Sequence, residues 1–195
     1  ASSFFVPDDV YYSVQPRASA RYLLNEKSSV KASYATMQQY VHLLTSSNAT
    51  LPTDLWVPST NKIEPQGSEQ VALGYSRTVR LFDAKFQLNL ESYYKTMDNL
   101  ISYKEGTNFF ATSANWEEQV EDNGDGKSYG LEFRFQKKTG LFTGWIGYTL
   151  AKSTRQFDNI NFGESYPFRY DRRHDFSIAL TYEISENVDI SANWV

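Results

Sequence analysis

The chain has 195 residues, no cysteine and a formal net charge of −4, which excludes disulfides and thiolate metal sites and gives no support to nucleic-acid binding. Its mean hydropathy is −0.53, and no apolar run is long enough for a transmembrane helix. A membrane-spanning strand needs no such run, because half of its residues face a polar lumen. The first residues, Ala1–Ser3 leading into Phe4–Pro7, lack the regions of a secretory signal, so the chain reads as mature or as a portion of something longer.

Eight strands and no helix are expected. The residues before Arg17 read as loop. Strand one, Arg17 to Leu24, places Ala18, Ala20, Tyr22 and Leu24 on one face, and Asn25–Ser28 forms a turn. Strand two, Ser29 to Leu43, sets Val30, Ala32, Tyr34 and Tyr40 against Lys31, Ser33 and Gln39. The density of turn formers from Asn48 to Asn61 marks a long loop. Strand three, Glu64 to Val79, carries Val71, Leu73 and Tyr75, and a tight connection at Arg80–Asp83 leads to strand four, Ala84 to Tyr103. There Phe86, Leu88, Leu90 and Tyr94 oppose Lys85, Gln87, Asn89, Glu91 and Lys95.

A second long loop runs through Asp122-Asn123-Gly124-Asp125-Gly126, which lacks the acidic spacing of a calcium loop and reads as a turn. Strand five, Ser128 to Lys137, alternates Tyr129, Leu131, Phe133 and Phe135 with Gly130, Glu132, Arg134 and Gln136. Strand six, Leu141 to Arg155, is less regular, with Leu141 and Trp145 opposite its apolar set. A third long loop, Gln156 to Tyr170, precedes strands seven and eight. Phe176, Ile178, Leu180, Tyr182 and Ile184 share a face in the first, and Val188, Ile190, Ala192 and Trp194 in the second, about a turn at Ser185–Asn187.

Connections therefore alternate short and long, and most strands reach the roughly 9–11 residues that a tilted strand needs to cross a bilayer. Fourteen tyrosines suit a membrane–water interface, where the ring is apolar and the hydroxyl wet. These features favour an antiparallel up-and-down transmembrane β-barrel over a soluble β-sandwich, although period-2 alternation fits both.

Several words carry a resemblance. Gln15-Pro16-Arg17, Lys31-Ala32-Ser33-Tyr34, Leu51-Pro52-Thr53-Asp54-Leu55-Trp56-Val57-Pro58, Glu91-Ser92-Tyr93-Tyr94-Lys95, Gly147-Tyr148-Thr149-Leu150 and above all Tyr166-Pro167-Phe168-Arg169-Tyr170-Asp171-Arg172-Arg173-His174-Asp175 resemble the barrel of TonB-dependent outer-membrane receptors of the Bacteroidetes type. The likeness covers nearly the whole chain. It implies a barrel of about 22 strands closed by an interior plug, and uptake of a siderophore, glycan, peptide or cobalamin driven by TonB. Residues 1–195 would then be about eight strands of that all-β barrel, without the plug and TonB box. Expected partners are outer-membrane lipid and lipopolysaccharide, TonB through the plug, and a surface lipoprotein for substrate capture. The rivals are a non-energised outer-membrane channel or small barrel, and a soluble carbohydrate-binding β-sandwich whose apolar face would be buried.

No catalytic, metal or cofactor site is expected. Glu117-Glu118 and Arg172-Arg173 read as solvated faces. Trp56, Phe109, Phe110, Trp116, Phe157 and Phe162 are loop aromatics and candidate ligand contacts. Arg172 and His174 share the parity of Phe176 and are candidate contacts for lipopolysaccharide phosphate, which guanidinium suits.

Overall fold

The structure, a computed structural model, describes residues 2–6, 9–44, 55–82, 84–105 and 116–195. Thirteen strands follow in chain order: β1 (Ser2–Val6), β2 (Asp9–Ser13), β3 (Arg17–Asn25), β4 (Ser28–Gln39), β5 (Val41–Leu44), β6 (Leu55–Pro58), β7 (Gln66–Leu81), β8 (Ala84–Tyr103), β9 (Val120–Lys137), β10 (Phe142–Gln156), β11 (Tyr166–Pro167), β12 (His174–Ser185) and β13 (Val188–Trp194). Eight of them form one antiparallel sheet in the order β13-β12-β10-β9-β8-β7-β4-β3, with β11 a short addition on β10. These eight are the predicted strands. β8 has the predicted bounds, although its alternation lapses between Met97 and Ser102, where Asp98-Asn99 interrupts it.

The period-2 pattern sorts side chains in register across the sheet. One row runs Tyr22–Val30–Tyr75–Leu90–Phe133–Tyr148–Phe176, each residue opposite the next. The next outward row is Ala20–Ala32–Leu73–Ser92–Leu131–Leu150–His174. No second sheet covers this face among the described residues. Leu73 is 56% exposed and Ile190 61%, against a sandwich, in which such residues would be core. The opposite face carries Gln87, Asn89, Glu91, Glu132 and Arg134.

Short turns gather at one end of the sheet. The Lys138–Leu141 connection contains Gly140 at φ +94°, a left-handed conformation that glycine adopts without steric cost. The sheet is also sheared. The row through Ser28, at the short-turn end of β4, reaches β12 at Ile178, well before that strand's turn at Ser185. Tilted, staggered strands are the geometry of a barrel. The sheet does not close, since β3 and β13 stand at its two edges without partners among the described residues.

The buried core lies at the other end, among the long connections. Leu44, Val57, Ile63, Ile101 and Val120 pack together, with Tyr103 and Trp116 against them. Here several expectations change. The N-terminal residues form the β1–β2 hairpin rather than a loop, its Phe4 stacked on Tyr40 at 4.9 Å. The first long loop contains the β5–β6 hairpin, and β5 is separate from β4. Asp122–Gly126 is not a turn but the upper part of β9, paired with both β8 and β10. Glycine is needed there for space: a Cβ on Gly126 would sit 2.7 Å from Leu100 Cδ1, and one on Gly124 would collide with the Phe157 ring.

The two faces predict opposite responses from adjacent residues of β7. Leu73→Arg places a cation in the outward belt, where it costs about 2–4 kcal/mol at mid-depth. Ala72→Arg points inward and is tolerated. Semi-native gel mobility of the barrel should fall for Leu73→Arg alone; equal yields of folded barrel from the two variants would refute the assignment of faces.

Candidate functional site

The long-connection end is where backbone irregularity, burial and displayed aromatics coincide. Its foundation is the prolongation of β8, β9 and β10 beyond the apolar belt. Register slips occur between Met97 and Leu100 and between Leu100 and Ser102. Asn99 and Asn123 take positive φ at these irregularities, a conformation asparagine tolerates. The Asn99 side chain donates to Glu64 Oε2 and the Pro65 carbonyl, each at 3.2 Å, fastening the segment before β7 to β8.

Two further clamps hold the rim. Arg155, at the top of β10, spreads its guanidinium 3.7 Å from the Phe168 ring centroid, and its Nη1 donates to the Ile101 carbonyl at 3.5 Å. Burial lowers its pKa to about 10, with Tyr166 opposing the shift. Phe157 stacks on Tyr166 and is only 2% exposed. The ring Phe157 inserts over Gly124 joins the third connection to β9. Ser2 and Ser13 hydroxyls lie 2.8 Å apart, and Tyr40 Oη lies 3.0 Å from each, anchoring the first hairpin. Tyr11 Oη donates to the Thr60 carbonyl at 2.9 Å.

The loop aromatics separate into display and packing. Phe162 is fully exposed and sits at φ +57°, between Asn161 at +54° and Gly163 at +76°. A bulky residue there costs of order 1–3 kcal/mol and persists only where neighbours enforce it. They do: Glu105 Oε1 accepts from the Asn161 amide at 2.9 Å, and Gln156 Nε2 donates to the Gly163 carbonyl at 2.9 Å. Trp56, on β6, is 60% exposed. Trp116 opens a single 3-10 turn, Trp116–Gln119, and packs on the core. Phe157 is enclosed, so its ring serves packing rather than display. Phe109 and Phe110 lie outside the described residues. Glu117, read from sequence as solvated, is 16% exposed at its side chain and pairs with Lys62 at 3.8 Å. It is drawn in because Trp116 beside it anchors on the core.

Arg172 and His174 lie at the upper border of the belt. Arg172 pairs with Asp175 at 3.7 Å, Arg173 with Asp171 at 3.3 Å, and His174 Nδ1 is 2.8 Å from the Tyr148 hydroxyl. Sequence reasoning did not single out Arg155 or His42. Arg155 was findable as the one cation on the inward parity of β10 above the belt; His42 carried no signal, since its burial depends on a hairpin that alternation does not announce.

A sheared antiparallel sheet with an exposed apolar belt outside, polar side chains inside, tight turns at one end and packed connections at the other is the wall of a transmembrane β-barrel, present here as a partial arc. The chain belongs to the TonB dependent receptor-like, beta-barrel family, whose model matches residues 2–195. That family comprises outer-membrane receptors that transport rather than catalyse. No curated protein matches the sequence.

His42 is 1% exposed; its Nε2 lies 3.1 Å from the Ser59 hydroxyl, and its Nδ1 has no hydrogen-bond partner among the described residues. Burial pushes its pKa down, and the backbone of Glu64 opposes the shift without satisfying Nδ1. Folding therefore favours the neutral ring. The resulting stabilisation is complete above the ordinary histidine value of about 6.5 and declines as pH falls below it. Amide protection of residues 41–44 and 55–57 should drop between about pH 7.5 and about pH 5, and His42→Gln should flatten the profile. An unchanged pH profile in His42→Gln would assign the effect elsewhere.

Proposed function

We propose that this chain forms part of the wall and outer connections of a barrel that takes up a nutrient across the outer membrane, with energy delivered through TonB. The observation that carries the reading is the outward belt. Seven strands contribute to one continuous apolar row, left exposed and edged by backbone that further strands must pair. Residues 1–195 are then one arc of the barrel domain. The remaining strands and an interior plug that gates the lumen belong to other segments.

In this reading the short turns face the periplasm and the packed connections face outward. Trp56 and Phe162 are the displayed aromatics available to a substrate, while Trp116 packs against the rim's core. The substrate belongs to the siderophore, glycan, peptide or cobalamin class. A Bacteroidetes-type member would take it from a surface lipoprotein. The strained turn at Phe162 favours recognition, because strain held in place by neighbours accompanies binding sites.

A second contact is proposed at the belt's upper border. Arg172 is 79% exposed at its side chain and His174 shares the outward row of Leu150, a position suited to the phosphates of lipopolysaccharide.

Uptake assays on the full-length protein test the first reading. Trp56→Ala combined with Phe162→Ala should reduce uptake at limiting substrate while leaving the protein's abundance in the outer membrane unchanged; wild-type uptake would remove both residues from the substrate path. Arg172→Ala should lower the lipopolysaccharide that copurifies with the barrel, and undiminished retention sinks that contact.

A further inference from the structure

On the outward face, near the tight turns, a cation stands beside a missing side chain. The row there runs Phe86–Lys137–Gly144–Leu180–Ala192, each residue opposite the next on the neighbouring strand. It lies two positions from the row Leu88–Phe135–Ile146–Ile178 and so shares its outward parity. Gly144 puts a hydrogen where that parity calls for a side chain. Its φ is +152°, and a Cβ there would collide with the Ala179 carbonyl oxygen. The gap is therefore fixed by the backbone.

The neighbours turn this gap into a slot of about 320 Å³. Phe86 and Phe135 line one side, their rings stacked with centroids 5.0 Å apart, and Phe142, Ile146 and Leu180 line the rest. Lys137 is the one ionisable residue of the lining. Its Nζ donates to the Phe142 carbonyl and lies at the Lys138–Leu141 turn, where a Cβ on Gly140 would come within 3.1 Å of it. The stem thus lies along apolar surface while the ammonium reaches the level of the turns, as lysines do at a membrane border. An ammonium has three donors. One is used, and Lys137 forms no ion pair among the described residues.

We infer that the slot binds one anionic phospholipid of the periplasmic leaflet, its acyl chain over Gly144 and its phosphate on Lys137. The inference rests on the barrel reading, which turns the short connections to the periplasm, and adds a ligand at that border. The shape and charge of the slot select the occupant. It is apolar except at one end, which matches an amphiphile lying along the strands better than a protein surface. The charged end sits at the turns, level with the headgroups of that leaflet, and its sign suits phosphate. Lipopolysaccharide occupies the opposite leaflet, beside the packed connections.

The test places the full-length protein in vesicles containing phosphatidylglycerol with a diazirine in its acyl chain, and maps the photolabelled peptides by mass spectrometry. The β9–β10 hairpin should be labelled. Lys137→Gln should lower that labelling about fivefold, Lys137→Arg should keep it, and Leu180→Trp should remove it by filling the slot. All three changes face lipid or its border, and the abundance of each variant in the outer membrane checks that it folds. Diazirine-tailed phosphatidylcholine should label the hairpin weakly and with no response to Lys137→Gln. Equal labelling by the two lipids, or labelling unchanged in both Lys137→Gln and Leu180→Trp, would mean bulk lipid only, and the inference falls while the barrel stands. Stronger labelling of the hairpin by a diazirine-tailed lipid A, or a cross-link there to a second copy of the chain, would also overturn it. A full-length protein missing from the outer-membrane fraction would remove the barrel reading and the inference together.

Discussion

The constraint on which the structure depends is that a backbone amide or carbonyl in hydrocarbon must find a partner within the protein. It explains why the long strands lie side by side in chain order, each paired along most of its length with its sequence neighbour. It explains why the connections divide into tight turns and long excursions, since antiparallel neighbours need only a turn at one end. It also gives β3 and β13 their meaning. Both are exposed along their whole length, and an edge of that extent in lipid requires further strands.

Once backbone pairing is fixed, the side chains need only choose between two solvents. The outward rows use leucine, phenylalanine and tyrosine with no packed core beneath them, so their contribution is burial in lipid rather than in protein. The inward rows are free to carry charge, and they carry it unevenly. Trp145 is instructive: judged by alternation it is misplaced, but with Arg134 stacked on it the inward position supplies a cation–π contact worth about 0.5–2 kcal/mol. A departure from the pattern thus marks a contact the pattern cannot express.

The wall was legible from sequence for the same reason. Strand spacing of 2 is a local signal, and β8 could be bounded because that signal holds from Lys85 to Glu91 and strand pairing continues past the slips between Met97 and Ser102. The rim was not. Gly124 and Gly126 look like turn formers, but their small size admits Phe157 and Leu100, residues distant in sequence. β5 and β6 are four residues each, too short to show a period, and their pairing closes a long excursion. The displayed and enclosed aromatics read alike as letters: Phe157 and Phe162 stand five positions apart, one buried and one fully exposed. Only the chain's return across β9 distinguishes them.

This division separates two kinds of stability within one chain. The wall is held by backbone pairing and its lipid surroundings, neither of which depends on the rim. The rim is held by a small core of Leu44, Val57, Ile63, Ile101 and Val120, by the Arg155–Phe168 stack and by a neutral His42. Few apolar groups support it, so its opening free energy lies toward the low end for such a fold. The strained Phe162 turn lies within this rim, held by hydrogen bonds to Glu105 and Gln156. The wall can therefore persist while the rim opens, and the boundary falls where β8 and β9 lose their regular register.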